Sequence, residues 1–153
     1  MIRFVVACIF LFSSCSPGIN KKSRSISQDV IAFETIAQDE FGGMTDSKFI
    51  VIKDEATFIE VYRLIGKDRL PKVEMPTIDF EKETVIALFL GEKTSGGYFI
   101  TVKQIVVISD KVNVAYKVTS PKPGDMVTTV MTQPYCIIKM PKTSKEVVFS
   151  KLK

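Results

Sequence analysis

The sequence predicts an α+β domain, predominantly antiparallel β, with seven to eight strands in a curved sheet or sandwich and one amphipathic helix packed on it. Three observations lead there. One apolar stripe has helical spacing, most of the second half alternates with period two, and one strand-length run has no polar residue.

Taken in order, residues 32–37 and 48–53 read as strands, split by the turn-like Phe41-Gly42-Gly43-Met44-Thr45-Asp46. Asp54 then fits a helix N-cap, with Glu55 well placed in the first turn. Phe58, Val61, Tyr62 and Ile65 fall at i, i+3, i+4 and i+7, and Gly66 fits a C-terminal stop. Residues 68–82 hold Pro71 and Pro76 among charges and read as a connection, with room for a short helical turn.

Residues 85–90, Val-Ile-Ala-Leu-Phe-Leu, read as a central strand covered on both faces. Tyr98, Ile100 and Val102 alternate with polar or outward positions, and the apolar phase then slips to Ile105 and Val107. That slip predicts a bulge near Gln104. Ser109-Asp110-Lys111 makes a tight connection to Val112, Val114, Tyr116 and Val118. Residues 135–140 and 147–152 supply the last two strands.

Composition narrows the chemistry. The chain has 153 residues, 46% of them hydrophobic, which suits a single domain with one sizeable core. It contains no His and no Trp. Absent His removes Ser–His and Cys–His nucleophile pairs, His-based metal sites and the usual acid–base residue near neutral pH. Cys8, Cys15 and Cys136 lack metal-ligand spacing. No metal and no cofactor are therefore expected.

The N-terminus gives an address. Met1-Ile2-Arg3 is a short positive segment, and residues 4–12 are uninterruptedly apolar but too few to span a bilayer. Phe12-Ser13-Ser14-Cys15 resembles a bacterial lipobox, with Phe12 where Leu is usual. The expected division is a lipoprotein signal peptide at 1–14, a lipidated Cys15 with a flexible tether to residue 28, and a single domain at 29–153. An ordinary secreted protein or a retained apolar anchor are the alternatives. The tether reaches roughly 20 Å on average. Cys8 leaves with the signal and lipid takes Cys15, so Cys136 stays as a small hydrophobe in the run Tyr135-Cys136-Ile137-Ile138. The expected location is the cell envelope, lipid-anchored, most readily in the outer membrane facing periplasm or surface.

Net charge is +4, from 21 basic and 17 acidic residues. That is too mild for a nucleic-acid binder, and the aromatics do not interleave with basic residues. Lys21, Lys22 and Arg24 follow the anchor, where they can rest on anionic headgroups or be solvated. The carboxylates Asp39, Glu40, Glu81, Glu83 and Asp110 read as solvated surface charges. Lys139 alone among the lysines lies in an apolar run, so no catalytic residue is assigned.

Two loops stand out as partner-binding candidates. Ser95, Gly96, Gly97 and Tyr98 lead into the long alternating strand, and the Gly pair permits positive φ. Pro121, Pro123, Gly124 and Asp125 form a second loop whose prolines lower the entropy lost on ordering. A hairpin turn and a plain crossover are the simpler readings of the same two segments.

Several of these residues carry a resemblance. Ser95-Gly96-Gly97-Tyr98, the hairpin to Val118, Pro121, Pro123-Gly124, Thr128-Thr129, Gln133-Pro134-Tyr135 and Ile137-Ile138-Lys139-Met140-Pro141-Lys142 resemble the C-terminal domain of the protease complex subunit PrcB family. The resemblance spans about residues 84–142. Where that family often has His, this chain has Cys136. The resemblance implies a secreted or lipid-anchored bacterial protein that stabilises a partner, a protease in the founding case, without catalytic residues of its own.

The expectation is thus a membrane-anchored, non-enzymatic accessory or binding module that stabilises a protein partner, with a protease complex as one partner. A protease inhibitor acting through the Pro-rich loop, or an enzyme using carboxylate or Ser–Lys chemistry, are the alternatives.

Overall fold

A computed structural model describes residues 29–153 apart from Asp68; the expected signal peptide, Cys15 and the expected tether lie outside the described residues. Nine elements follow in order: β1 (Asp29–Val30), β2 (Glu34–Asp39), β3 (Ser47–Ile52), α1 (Glu55–Ile65), β4 (Glu83–Leu90), β5 (Phe99–Ile108), β6 (Lys111–Thr119), β7 (Tyr135–Pro141) and β8 (Glu146–Lys151).

The strands form two four-stranded sheets, ordered β1-β5-β6-β8 and β2-β7-β4-β3. All neighbours are antiparallel except β6 and β8, which run parallel. The architecture is α+β and predominantly β, as the patterning predicts.

The apolar run of β4 explains the layering. Alternate residues of a strand face opposite sides of its sheet. Val85, Ala87 and Phe89 join Phe58, Val61, Tyr62 and Ile65 of α1 in one core. Ile86 and Leu88 join Ile100, Val102, Ile105, Val112 and Val114 of the other sheet in a second core. β7 divides the same way, with Tyr135 and Ile137 toward the helix and Cys136, Ile138 and Met140 between the sheets. The molecule therefore has three layers, helix on sheet on sheet. Cys136 is fully buried, and burial pushes its thiol pKa up.

Local signals hold at the ends of α1. Asp54 accepts the Thr57 N–H at 2.8 Å, and the Gly66 N–H donates to the Tyr62 carbonyl at 3.0 Å. Ser109 and Asp110 both take positive φ, the geometry of a tight two-residue hairpin. The register of β5 against β6 shifts between Val102 and Gln104, where the apolar phase slips. One detail differs from expectation. β2 begins at Glu34, because the Ile31 N–H still donates to Ile105 of β5 at 2.8 Å and the chain only then crosses to the other sheet. Residues 69–82 form the expected connection, closed by a single helical turn in which the Asp79 carbonyl accepts the Lys82 and Glu83 N–H groups at 2.9 and 2.7 Å.

Connectivity gives the sandwich two distinct ends. Asp29 pairs with Val107, beside the turn that joins β5 to β6. At the far end lie Asp39, Ser47, Leu90 and Tyr135 of one sheet, with Phe99 and Thr119 of the other. The ten residues of β5 separate the two ends by about 30 Å. No helix among the described residues is long and apolar enough to cross a membrane.

Candidate functional site

Both candidate loops lie at the end remote from Asp29, because each carries the chain from one sheet to the other there. Residues 91–98 link β4 to β5, and residues 120–134 link β6 to β7. The structure brings them together. Lys93 and Thr132 exchange backbone hydrogen bonds of 2.7 and 2.9 Å, and the Gly96 N–H donates to the Thr128 carbonyl at 3.0 Å. The buried Thr132 hydroxyl donates to the Ser95 carbonyl at 2.8 Å.

The two glycines stand where a side chain would be crowded. A Cβ on Gly96 would lie 2.5 Å from the Thr128 Oγ1. Gly97 has φ +83°, and a Cβ there would lie 3.1 Å from the Pro121 Cγ. Tyr98 is half-buried and opens β5. Pro121 is half-buried too, but residues 122–131 are all exposed. Within that stretch the Asp125 N–H donates to the Lys122 carbonyl at 3.0 Å, and Asp125 Oδ2 accepts the Lys122 N–H at 2.8 Å. With Pro123 second and Gly124 third at φ +93°, this is a self-sufficient β-turn.

Residues that the sequence did not single out complete the rim. Glu40 accepts the Gly97 N–H through its side chain at 2.8 Å and the Gln133 N–H through its carbonyl at 2.7 Å. Asp39 forms an ion pair of 2.6 Å with Arg69, which raises the arginine pKa, chiefly through that hydrogen bond. These two carboxylates, expected as solvated charges, are instead half-buried and bonded. Pattern alone could not reveal this, since their partners stand 57 positions away for Glu40 and across a loop for Asp39.

The rim exposes apolar surface. Met126, Val127, Val130 and Met131 project from the second loop, with Met126 fully exposed and Met131 at 57%. Phe41, Leu70, Phe99 and Leu152 are exposed at the same end, whereas Val30 and Ile108 mark the other. Phe41 and Leu70 also line a cleft of about 640 Å³ with Leu64, Arg69, Val73 and Gln133. The sequence signal was present in Met126-Val127 and Val130-Met131, apolar pairs in a segment without strand periodicity.

Lys139 contacts Glu83 at 3.1 Å and Glu34 at 3.4 Å, which raises its pKa, Glu83 first. Among the described residues, no three His, Cys, Asp or Glu side chains group as metal ligands.

The segment carrying both loops matches a known family model. Residues 84–141 match the PrcB C-terminal family. The match runs from β4 to β7, less than half of the chain, and agrees with the resemblance seen in the residues themselves. Within the matched segment lie Ser95, Gly96, Gly97, Tyr98, Pro121, Pro123, Gly124 and Asp125, together with every exposed apolar residue of the second loop. Glu40, Phe41 and Leu70 are contributed from outside it. No curated protein and no solved structure matches the chain.

Proposed function

We propose that this chain is a lipid-anchored, non-enzymatic accessory module of the bacterial envelope that binds and stabilises a partner protein through the rim remote from its N-terminal tether. One observation carries the reading. Eight exposed large apolar side chains stand at that end, and four of them lie on a loop whose base is fastened to its neighbour. A soluble surface gains nothing from such residues unless something covers them. The PrcB C-terminal match supports a partner belonging to a protease complex. The lipobox-like Phe12-Ser13-Ser14-Cys15 supports the anchor, most readily in the outer membrane.

A non-catalytic role is supported by the state of the reactive groups. The Cys136 thiol is buried and Lys139 is held protonated by its carboxylates, the reverse of what a Ser–Lys dyad needs. The cleft beside the rim is lined by apolar side chains, Arg69 and Gln133 rather than by a convergent acid, base and nucleophile.

Crosslinking of the full chain in intact membranes, followed by pull-down, tests the reading. The native chain should recover a specific protein, and Met126→Glu with Met131→Glu should reduce that recovery about ten-fold. Both side chains are exposed, so the fold is unaffected. Recovery of the chain alone, or equal recovery by the variant, overturns the proposal.

The turn at Lys122, Pro123, Gly124 and Asp125 favours a second reading, a rigid loop entering a protease cleft as an inhibitor. Pro121→Gly with Pro123→Gly should then weaken inhibition of the crosslinked protease. Unchanged or absent inhibition rejects it.

A further inference from the structure

We infer that the groove between α1 and β3 is a strand-addition site for an extended, acidic and apolar segment of a partner protein. This deepens the proposed binding role and rests on it, but it concerns a different surface from the rim.

The groove arises because one helix cannot cover a four-stranded sheet. The buried stripe of α1 sits over β4 and β7, which leaves the helix-facing side of β3 partly open. Lys48, Ile50 and Ile52 share that face. Ile52 is fully buried, Ile50 half-buried and Lys48 exposed. Met44, Ile50, Val61 and Leu64 form the apolar floor of a groove of about 630 Å³.

β3 is also an edge strand. It pairs with β4 along all six residues and, among the described residues, with no strand on its other side. Half of its backbone N–H and C=O groups therefore face outward. Edge strands are ordinarily blunted by shortness, bulges or charge. β1 has two residues and β2 carries a register break between Thr35 and Ala37, whereas β3 and β8 keep an unbroken register, and of those two β3 is the one that borders the groove. An extended peptide added there would continue the ladder and place every second side chain over the floor.

Charge selects the occupant. Lys48, Arg63 and Lys67 rim the groove, and the single acid among its lining residues, Glu60, is already paired with Arg63 at 2.9 Å. Among the described residues no carboxylate pairs with Lys48 or Lys67. Partner carboxylates would meet an uncompensated positive rim. The chain's own residues 16–28 carry Lys21, Lys22 and Arg24 and no acid, so like charge disfavours them. A second copy adding its β3 to this edge would bring an identical positive rim against Lys48, which is also unfavourable.

The test uses the purified full chain in detergent and an end-blocked eight-residue peptide of alternating valine and glutamate. A valine–lysine peptide is the control. Fluorescence anisotropy should show the acidic peptide binding about ten-fold or more tightly than the basic one, with affinity falling as salt rises. Amide hydrogen exchange should slow in Ser47–Ile52 when the acidic peptide is added. Lys48→Glu with Lys67→Glu should weaken binding about ten-fold. Equal affinity for both peptides, no binding at millimolar concentration, or protection outside β3 overturns the inference. So does protection of β3 that rises with chain concentration without peptide, which would assign the groove to a second copy. The rim variant Met126→Glu with Met131→Glu should leave peptide binding unchanged, so failure of either surface is read separately.

Discussion

The side chain of Glu40 accepts the backbone N–H of Gly97 at 2.8 Å, joining positions 57 apart. That bond ties the end of β2 to the loop before β5, and through the Glu40 carbonyl to Gln133. Glu40 thus adds to the loop-to-loop bonds of the rim a tie at the junction of three segments.

Glu40→Ala should lower stability by about 1–3 kcal/mol, because the half-buried Gly97 N–H loses a charged acceptor. Glu40→Gln keeps an acceptor oxygen and should lose less. Chemical unfolding measures both, and exchange of residues 95–98 should quicken in the alanine variant first. Equal stability of all three proteins would mean the bond contributes nothing in solution.

Two glycines with similar backbone angles should respond differently. Gly97→Ala combines positive φ with a Cβ 3.1 Å from Pro121 and 3.2 Å from Val127, so it should cost about 2 kcal/mol. Gly124 has φ +93° but nothing within 4 Å of its Cβ position. Gly124→Ala lies on an exposed turn that can relax, and should cost less than about 1 kcal/mol. Thermal unfolding of the pair separates strain from crowding.

The Tyr62 hydroxyl is buried without a hydrogen-bond partner among the described residues. Tyr62→Phe should therefore stabilise the domain by about 1 kcal/mol at neutral pH. Burial pushes the phenol from 10.0 up to about 12. The folded state thus favours the neutral form. Its contribution is full below about pH 10 and lost as pH rises toward 12. The variant should lose less stability over that interval, with a residual slope from Tyr135, which burial also raises. Urea midpoints across pH 9 to 11.5, compared between the two proteins, provide the readout.

Cys15→Ala should move the protein from the membrane to the soluble fraction, since the proposed anchor depends on that thiol. Fractionation followed by immunodetection suffices. Retention of the variant in the membrane would assign the holding to the apolar segment at residues 4–12 or to a bound partner.

Local chemistry was legible in the sequence wherever neighbours determine it. Asp54 and Gly66 bound the helix, the slip after Val102 marks the bulge, and Ser109-Asp110 makes the turn. The apolar run at residues 85–90 of β4 pointed to burial on both faces, and Cys136 sits in the core its run suggested. The parallel pairing of β6 with β8 was not legible, since β8 follows β7 in sequence yet joins the other sheet. Nor were the roles of Asp39 and Glu40, whose partners are distant in sequence. The rim loops were picked out by their glycines and prolines, while the exposed methionines and valines between them needed the fold to show which side faces water.

Two-sided burial of β4 and β7 has a consequence for alignment of the strands. In an ordinary half-exposed strand, a one-residue slip turns apolar side chains to water and is rejected. Here a slip would exchange one apolar set for another, so hydrophobicity alone cannot fix the alignment. Shape helps, because Phe89 stacks on Tyr135 at 5.9 Å on the helix side, opposite the smaller Cys136. The rest comes from the strand ends. Leu90 donates to Pro134 at 2.9 Å, and a Cβ on Gly91 would lie 2.7 Å from the Ser47 nitrogen. The loops that would meet a partner also index the core, so a change at the fastened base of the rim would reach the strand alignment, whereas exposed side chains such as Met126 and Met131 can change without disturbing it.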